Sequence, residues 1–137
     1  MKTIRIRGNI VTPEQVWEGG TLTVENGRIA HIASADDGPA DVDLGGGWVV
    51  PGFIDMHIHG GAGGDFMDAT QEAFATVAEF HGRHGTTSLL ATTVTAPKEA
   101  IDRTLGAAAE YIAAASPRGA RVLGVHLEGP FISEKWP

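Results

Sequence analysis

The residues of this chain best suited to do chemistry gather in two short stretches. The first is Pro51-Gly-Phe-Ile-Asp-Met-His-Ile-His-Gly-Gly-Ala-Gly-Gly-Asp65. Side chains alternate across a strand, so Phe53, Asp55, His57 and His59 are expected on one face and Ile54, Met56 and Ile58 on the other. An apolar face opposite a polar one that ends in two histidines predicts helices on one side and a site on the other. Two imidazoles one pleat apart can reach the same cation. His-x-His pairs also arise as ordinary strand histidines, so position decides. This pair ends a strand just before a glycine-rich loop, where parallel α/β folds place their chemistry. The glycines let the backbone turn sharply and approach a ligand closely. Gly60 and Gly61 are therefore candidate substrate contacts. So is Asp65, for which a turn aspartate is the plainer alternative.

The second stretch is Arg121–Glu128. By the same alternation Val122, Gly124, His126 and Glu128 share one face and Leu123, Val125 and Leu127 the other. Glu128 then reaches the rim that carries His57 and His59. A salt-bridged or capping carboxylate is the alternative, but a glutamate ending an apolar strand before Gly129-Pro130 fits it less well. His126 could contact substrate or support Glu128. A donor set of two histidines and one glutamate suits zinc, iron(II) or another divalent first-row ion. Such an ion brings the pKa of bound water to about 7 and polarises a carbonyl, the chemistry of amide or ester hydrolysis or deamination. The water's proton still needs a general base. Asp55 lies deeper than the histidines and reads as their support, so no residue here fills that role.

The remaining candidates read as structural. His81 and His84 fall in the last turn of a helix, where they complement its dipole. His31 belongs to a surface hairpin. The threonines at 86, 87, 92, 93 and 95 are mostly explained by strand propensity, although Thr92 and Thr93, near the rim, could touch a site.

Positioning these groups requires two kinds of element. Residues 1–50 read as all-β. Ile4, Ile6 and Ile10 alternate with polar residues, and Thr21–Glu25 and Arg28–Ala33 flank Asn26-Gly27, a strong hairpin signal. Residues 36–39 read as a turn, and 41–50 as another short strand or two broken by Gly45-Gly46-Gly47. These strands are too few for a full sandwich and call for a partner sheet. From Pro51 the pattern changes to strand, helix, strand, helix, strand. The predicted elements are a strand at 52–59, a helix at 71–84, a strand at 86–95, a helix at 97–115 and a strand at 121–128. Asp68 or Thr70 is the first helix's N-cap, and Gly85 its stop. Phe74, Val77, Ala78 and His81 form its apolar stripe; Ile101, Leu105, Ala108 and Ile112 mark that of the second, which Ser116-Pro117-Arg118-Gly119 ends. Such alternation implies a parallel sheet with right-handed crossovers. Three strands fall short of an eight-stranded barrel, so the chain reads as the first part of something longer.

Composition narrows the class. With 42% hydrophobic and 20% charged residues, the 137 residues suit a globular domain. No run of 18 apolar residues suggests a membrane span, and the N-terminus lacks a signal-peptide core. The absence of cysteine excludes disulfides and thiolate metal sites and fits a cytoplasmic setting. A net charge of −7 argues against nucleic acid as the partner and means that an anionic substrate needs locally placed cations.

Taken together, four segments resemble the amidohydrolase superfamily: Val24–Ile29, Pro51–Gly61, Gly85–Thr87 with Ala91–Pro97, and Gly124-Val-His-Leu-Glu-Gly-Pro-Phe131. The last two resemble the branch that deacetylates N-acetylglucosamine 6-phosphate. The resemblance implies an α/β fold, the first three βα units of a (β/α)8 barrel over 51–137, preceded over 1–50 by part of a small β-sandwich. It implies a metal-dependent hydrolase releasing acetate and glucosamine 6-phosphate, with one or two zinc or iron ions. His57 and His59 match the His-x-His of members that hold two metals, and Glu128 the carboxylate ligand. An acid/base aspartate, further metal histidines and most sugar and phosphate contacts are implied beyond Pro137, so the chain alone is expected to be inactive. An amino-sugar phosphate is the implied partner, in a homo-oligomer, most simply a dimer. The competing readings are dihydroorotase-like, isoaspartyl-dipeptidase-like and adenine-deaminase-like enzymes, and a non-catalytic assembly module.

Overall fold

The computed structural model describes residues 2–34, 38–114, 118–133 and 135. It divides into two compact units, 1–51 and 52–137.

The first unit is a four-stranded sheet in the order β3-β2-β1-β4, built from β1 (Thr3–Val11), β2 (Val16–Glu25), β3 (Arg28–Ala33) and β4 (Val42–Val49). The β2–β3 hairpin turns at Asn26 and Gly27, both with positive φ (51° and 78°), as a type I′ turn requires. β4 runs parallel to β1. Of the one or two short strands expected here one forms, and the glycines at 45–47 do not split it because side chains hold the irregularity together. The Asp43 carboxylate accepts from Gly45 N (2.9 Å) and Asn9 Nδ2 donates to the Gly46 carbonyl (2.8 Å), while the pairing with β1 slips between Arg7 and Asn9. The stretch is thus a bulge within one strand. Ile10, Thr21 and Leu22 are buried, whereas Ile29 and Trp48 are well exposed. Of the turn expected at 36–39, residues 36 and 37 lie outside the described residues.

The second unit carries the site. Three parallel strands lie in the order β5-β8-β9: β5 (Phe53–Ile58), β8 (Thr86–Thr92) and β9 (Arg121–His126). Between β5 and β8 come a minimal hairpin, β6 (Gly60–Gly61) with β7 (Gly64–Asp65), a single 3-10 turn (Phe66–Asp68) and helix α1 (Gln71–Arg83). Helix α2 (Lys98–Ala113) connects β8 to β9. The N-cap of α1 is Thr70, whose hydroxyl accepts from Ala73 N at 3.1 Å. Gly85 leaves the helix with φ 94°. The end of α2 expected at 115–119 falls largely outside the described residues.

The core lies between helices and sheet: Phe66, Phe74, Val77, Leu89, Ala91, Ala107, Ala108, Ala120 and Val122. Phe74 packs between Phe66 and Tyr111, with ring centroids 4.8 and 5.5 Å away. Burial pushes the Tyr111 phenol above its ordinary pKa.

Three packing expectations need correction. In α2 the inward residues are Ile101, Thr104, Ala107 and Ala108, while Leu105 and Ile112 stay exposed. Small side chains face the sheet and let the helix approach it, leaving the larger apolar ones at its flank. In β9, Val122 does not share the face of His126. Leu89 pairs with Val122 and Leu90 with Gly124, so Leu123 is an extra residue that resets the alternation. Val122 and Val125 therefore both join the helix-covered core, and Leu123 is exposed. In β5, only Ile58 of the apolar trio packs on the core; Ile54 and Met56 are 64% and 67% exposed. The reason is that α1 lies against β8 and the β6–β7 hairpin and not along the length of β5.

Candidate metal centre

His57 and His59 sit at and just past the end of β5, and Glu128 two residues past the end of β9. Their ligand atoms converge. His57 Nε2 is 3.3 Å from His59 Nε2, and Glu128 Oε2 lies 2.9 Å from the first and 3.1 Å from the second. Two imidazole nitrogens that face each other at this range compete for one proton unless a third group sits between them. An ion with metal–nitrogen bonds of about 2.0–2.1 Å in tetrahedral geometry holds its nitrogens about 3.3–3.4 Å apart. The triangle thus has the dimensions of one face of a metal coordination shell. It could hold a metal ion, and its donors suit a divalent one. His57 is the most exposed of the three, which leaves an open side toward solvent.

The sequence folds this way because the ladder between β5 and β8 breaks where the histidines begin. Asp55 pairs with Leu89 and Ile58 with Ala91, three residues against two. At the break the Asp55 carboxylate accepts from His57 N (3.1 Å), a local side-chain bond that replaces a ladder contact. Asp55 thereby supports His57 through its backbone. His126 Nδ1 lies 2.8 Å from the Met56 carbonyl. A carbonyl can only accept, so Nδ1 carries a proton, and in the neutral ring Nε2 is then the acceptor. The His126 ring lies 4.6 Å from that of His57. His59 Nδ1 is buried and has no hydrogen-bond partner.

The other candidates are held by local bonds. Gly60 and Gly61 pair with Asp65 and Gly64 in the hairpin. A side chain at Gly61 would meet His81 Nε2 at 2.6 Å and Phe80 Cδ1 at 3.0 Å, so the close approach there is to α1. The Asp65 carboxylate accepts from Met67 N (2.8 Å) and Asp65 N donates to Asp68 (3.0 Å), a reciprocal cap on the 3-10 turn. His81 donates to the Gly60 carbonyl and His84 to that of Phe80. His31 is exposed in β3. A hollow of about 270 Å³ beside the start of α1, lined by Asp68, Thr70 and Glu72 among others, shares no residue with the histidine–glutamate triangle.

Two residues carry more than strand propensity assigns them. Thr92 and Thr93 are fully buried at the end of β8. Thr92 Oγ1 accepts from Ile58 N, between the two histidines (2.9 Å), and Thr93 Oγ1 accepts from Glu128 N (3.0 Å). The available signal was a pair of threonines at the rim end of the middle strand, flanked on both sides by ligand-bearing strands.

Residues 48–134 match the model of the amidohydrolase family. Two N-acetylglucosamine-6-phosphate deacetylases are among the relatives. That of Bacillus subtilis is 39% identical, over 92% of this chain and 33% of its own length. The human one is 44% identical, over 95% of this chain and 32% of its own. A solved N-acetyl-D-glucosamine-6-phosphate deacetylase from Mycobacterium smegmatis superimposes with a TM-score of 0.86 at 33% identity, over 97% of this chain and 34% of that one. It is an aspartate-to-alanine mutant in complex with N-acetyl-D-glucosamine-6-phosphate. The chain spans about a third of the length of these relatives.

Proposed function

The chain belongs to the amidohydrolase family, and from that premise we propose that it supplies part of the metal site of an enzyme that hydrolyses N-acetylglucosamine 6-phosphate to glucosamine 6-phosphate and acetate. The convergence of His57, His59 and Glu128 within hydrogen-bonding range carries this reading. The names and similarity of the relatives support the substrate. They favour this reading over a dihydroorotase-like or deaminase-like assignment.

In this reading His57 and His59 are neutral ligands through Nε2, and Glu128 adds the negative charge that favours a dication over water. Zinc or iron(II), as one or two ions, is the expected occupant. When bound, it would bring the pKa of a water to about 7 and polarise the acetamide carbonyl. His126, its Nδ1 tied to Met56, keeps Nε2 as an acceptor beside His57 and is the candidate contact for a donor group of the sugar. Gly60, Gly61 and Asp65 would shape the substrate-side loop next to His59. In this reading the aspartate that moves the proton is expected outside these residues. Residues 1–50 are taken as a sandwich segment and 51–137 as the first three βα units of an eight-stranded barrel. A cytoplasmic homodimer is the expected setting; among the described residues no helix is long and apolar enough to cross a membrane.

The test is acetate release by the complete protein. Turnover of N-acetylglucosamine 6-phosphate, lost on metal removal and restored by zinc or iron(II), is the expected result. Turnover of dihydroorotate or a β-aspartyl dipeptide, with none of the acetylated sugar phosphate, would overturn the assignment.

A further inference from the structure

Glu128 lies farther past the end of its strand than either histidine does. β9 ends at His126 and β8 at Thr92, so Glu128 lies beyond the backbone ladder. A ligand on unpaired backbone would swing, and metal affinity depends on a carboxylate held in place. Thr93 continues the ladder with its side chain. Its backbone N–H donates to the His126 carbonyl (3.0 Å). Its hydroxyl then accepts from Glu128 N (3.0 Å) and lies 3.3 Å from the Glu128 carbonyl as a donor. A hydroxyl can do both at once, because it has a proton and free lone pairs. Both polar backbone groups of the ligand residue are thereby tied to one side chain. That fixes the peptide planes on either side and so the direction of its Cα–Cβ bond.

On the other flank Thr92 bonds Ile58 N, between His57 and His59, where the β5 ladder is broken. Two adjacent, fully buried threonines therefore reach in opposite directions, one to each ligand-bearing strand. Strand propensity alone would be met as well by valine or isoleucine. We infer that Thr93 is a positioning residue for the metal site: its hydroxyl holds Glu128 at bonding distance from the histidine pair. This rests on the reading of His57, His59 and Glu128 as metal ligands, and the test separates the two.

The experiment measures the dissociation constant of cobalt(II) for the complete, metal-stripped protein by competition with a chelator, together with the visible absorption of the bound cobalt. Thr93→Ser keeps the hydroxyl and is expected to bind within about threefold of the parent. Thr93→Val keeps the shape and removes the hydroxyl. It is expected to bind about 10–100-fold more weakly, with an altered cobalt spectrum, the usual effect of losing a residue that orients a ligand. Thr93→Cys, close in volume and a poor hydrogen-bonding partner, takes the place of the valine variant if that does not fold. Glu128→Gln is the control for the ligand set. If Glu128→Gln loses cobalt while Thr93→Val binds like the parent, the positioning role is overturned and the metal reading stands. If the serine variant loses as much as the valine one, the hydroxyl is not the cause and the inference fails. If Glu128→Gln itself binds cobalt like the parent, the metal reading fails and the inference with it.

Discussion

At the scale of single residues, the same side chain often has both a functional and a local use, and the hydrogen bonds tell them apart. Asp65 stands on the substrate-side loop, yet one carboxylate oxygen already caps a turn. Its replacement by alanine leaves backbone donors of that turn unpaired, at a cost of about 0.5–2 kcal/mol; asparagine caps about as well and should cost little. Urea unfolding of Asp65→Ala and Asp65→Asn in the complete protein checks this. Equal stability of the two variants would remove the capping role. Local reasoning singled out His57 and His59, which the structure brings together with Glu128, because alternation along β5 and the position before a glycine-rich loop are both written in the chain. It undervalued Thr92 and Thr93, because their partners, Ile58 and Glu128, lie 34 and 35 residues away and only the sheet order joins them. Thr95, of the same type and equally near in sequence, is exposed.

At the scale of elements, the order of strands and helices was readable from periodicity, and every predicted strand and helix of the second unit is present within a few residues. What periodicity could not supply is where a strand breaks step. The extra residue at Leu123 comes from pairing with β8, and it exchanges the burial expected of Val122 and Leu123. Strict alternation puts Val122 on the site face and Leu123 under the helices; the bulge places Val122, 4% exposed, in the core and leaves Leu123 49% exposed. Val122→Ala should therefore cost roughly 2 kcal/mol, two lost methyl groups plus the space they leave. Leu123→Ala, though it removes more atoms, should cost less than the valine truncation. The two unfolding midpoints decide it, and the reverse order would restore strict alternation. The loose apolar stripe of α2 has a similar origin. Leu105 and Ile112 lie on the same broad face as Ile101, but only contact with the sheet selects Thr104 and Ala107 as the inward line.

At the scale of the whole molecule, the second unit has a helix-covered core beside apolar side chains that nothing among the described residues covers. Phe53, Ile54 and Met56 on β5 are each about two-thirds exposed, and Leu127 and Phe131 follow β9. Burying a side chain of that size is worth about 1.5–3 kcal/mol, so a few of them rival a domain's net stability of about 5–15 kcal/mol. β5 and β9 are also the outer strands of their sheet, with free backbone groups on one side. A polypeptide of residues 1–137 expressed by itself should therefore self-associate and release no acetate. Size-exclusion chromatography with light scattering, alongside the acetate assay, checks both. A cooperatively folding monomer with deacetylase activity would contradict this account.

His57, His59 and Glu128 are predicted to hold a metal ion in the complete protein, and elemental analysis of four variants purified alongside the parent decides it. His57→Ala, His59→Ala and Glu128→Ala each remove one corner of the 2.9–3.3 Å triangle and should each sharply reduce bound zinc or iron. His31→Ala, on the exposed face of β3, should leave the metal content unchanged. Parent-like metal content in all three ligand variants would contradict the claim.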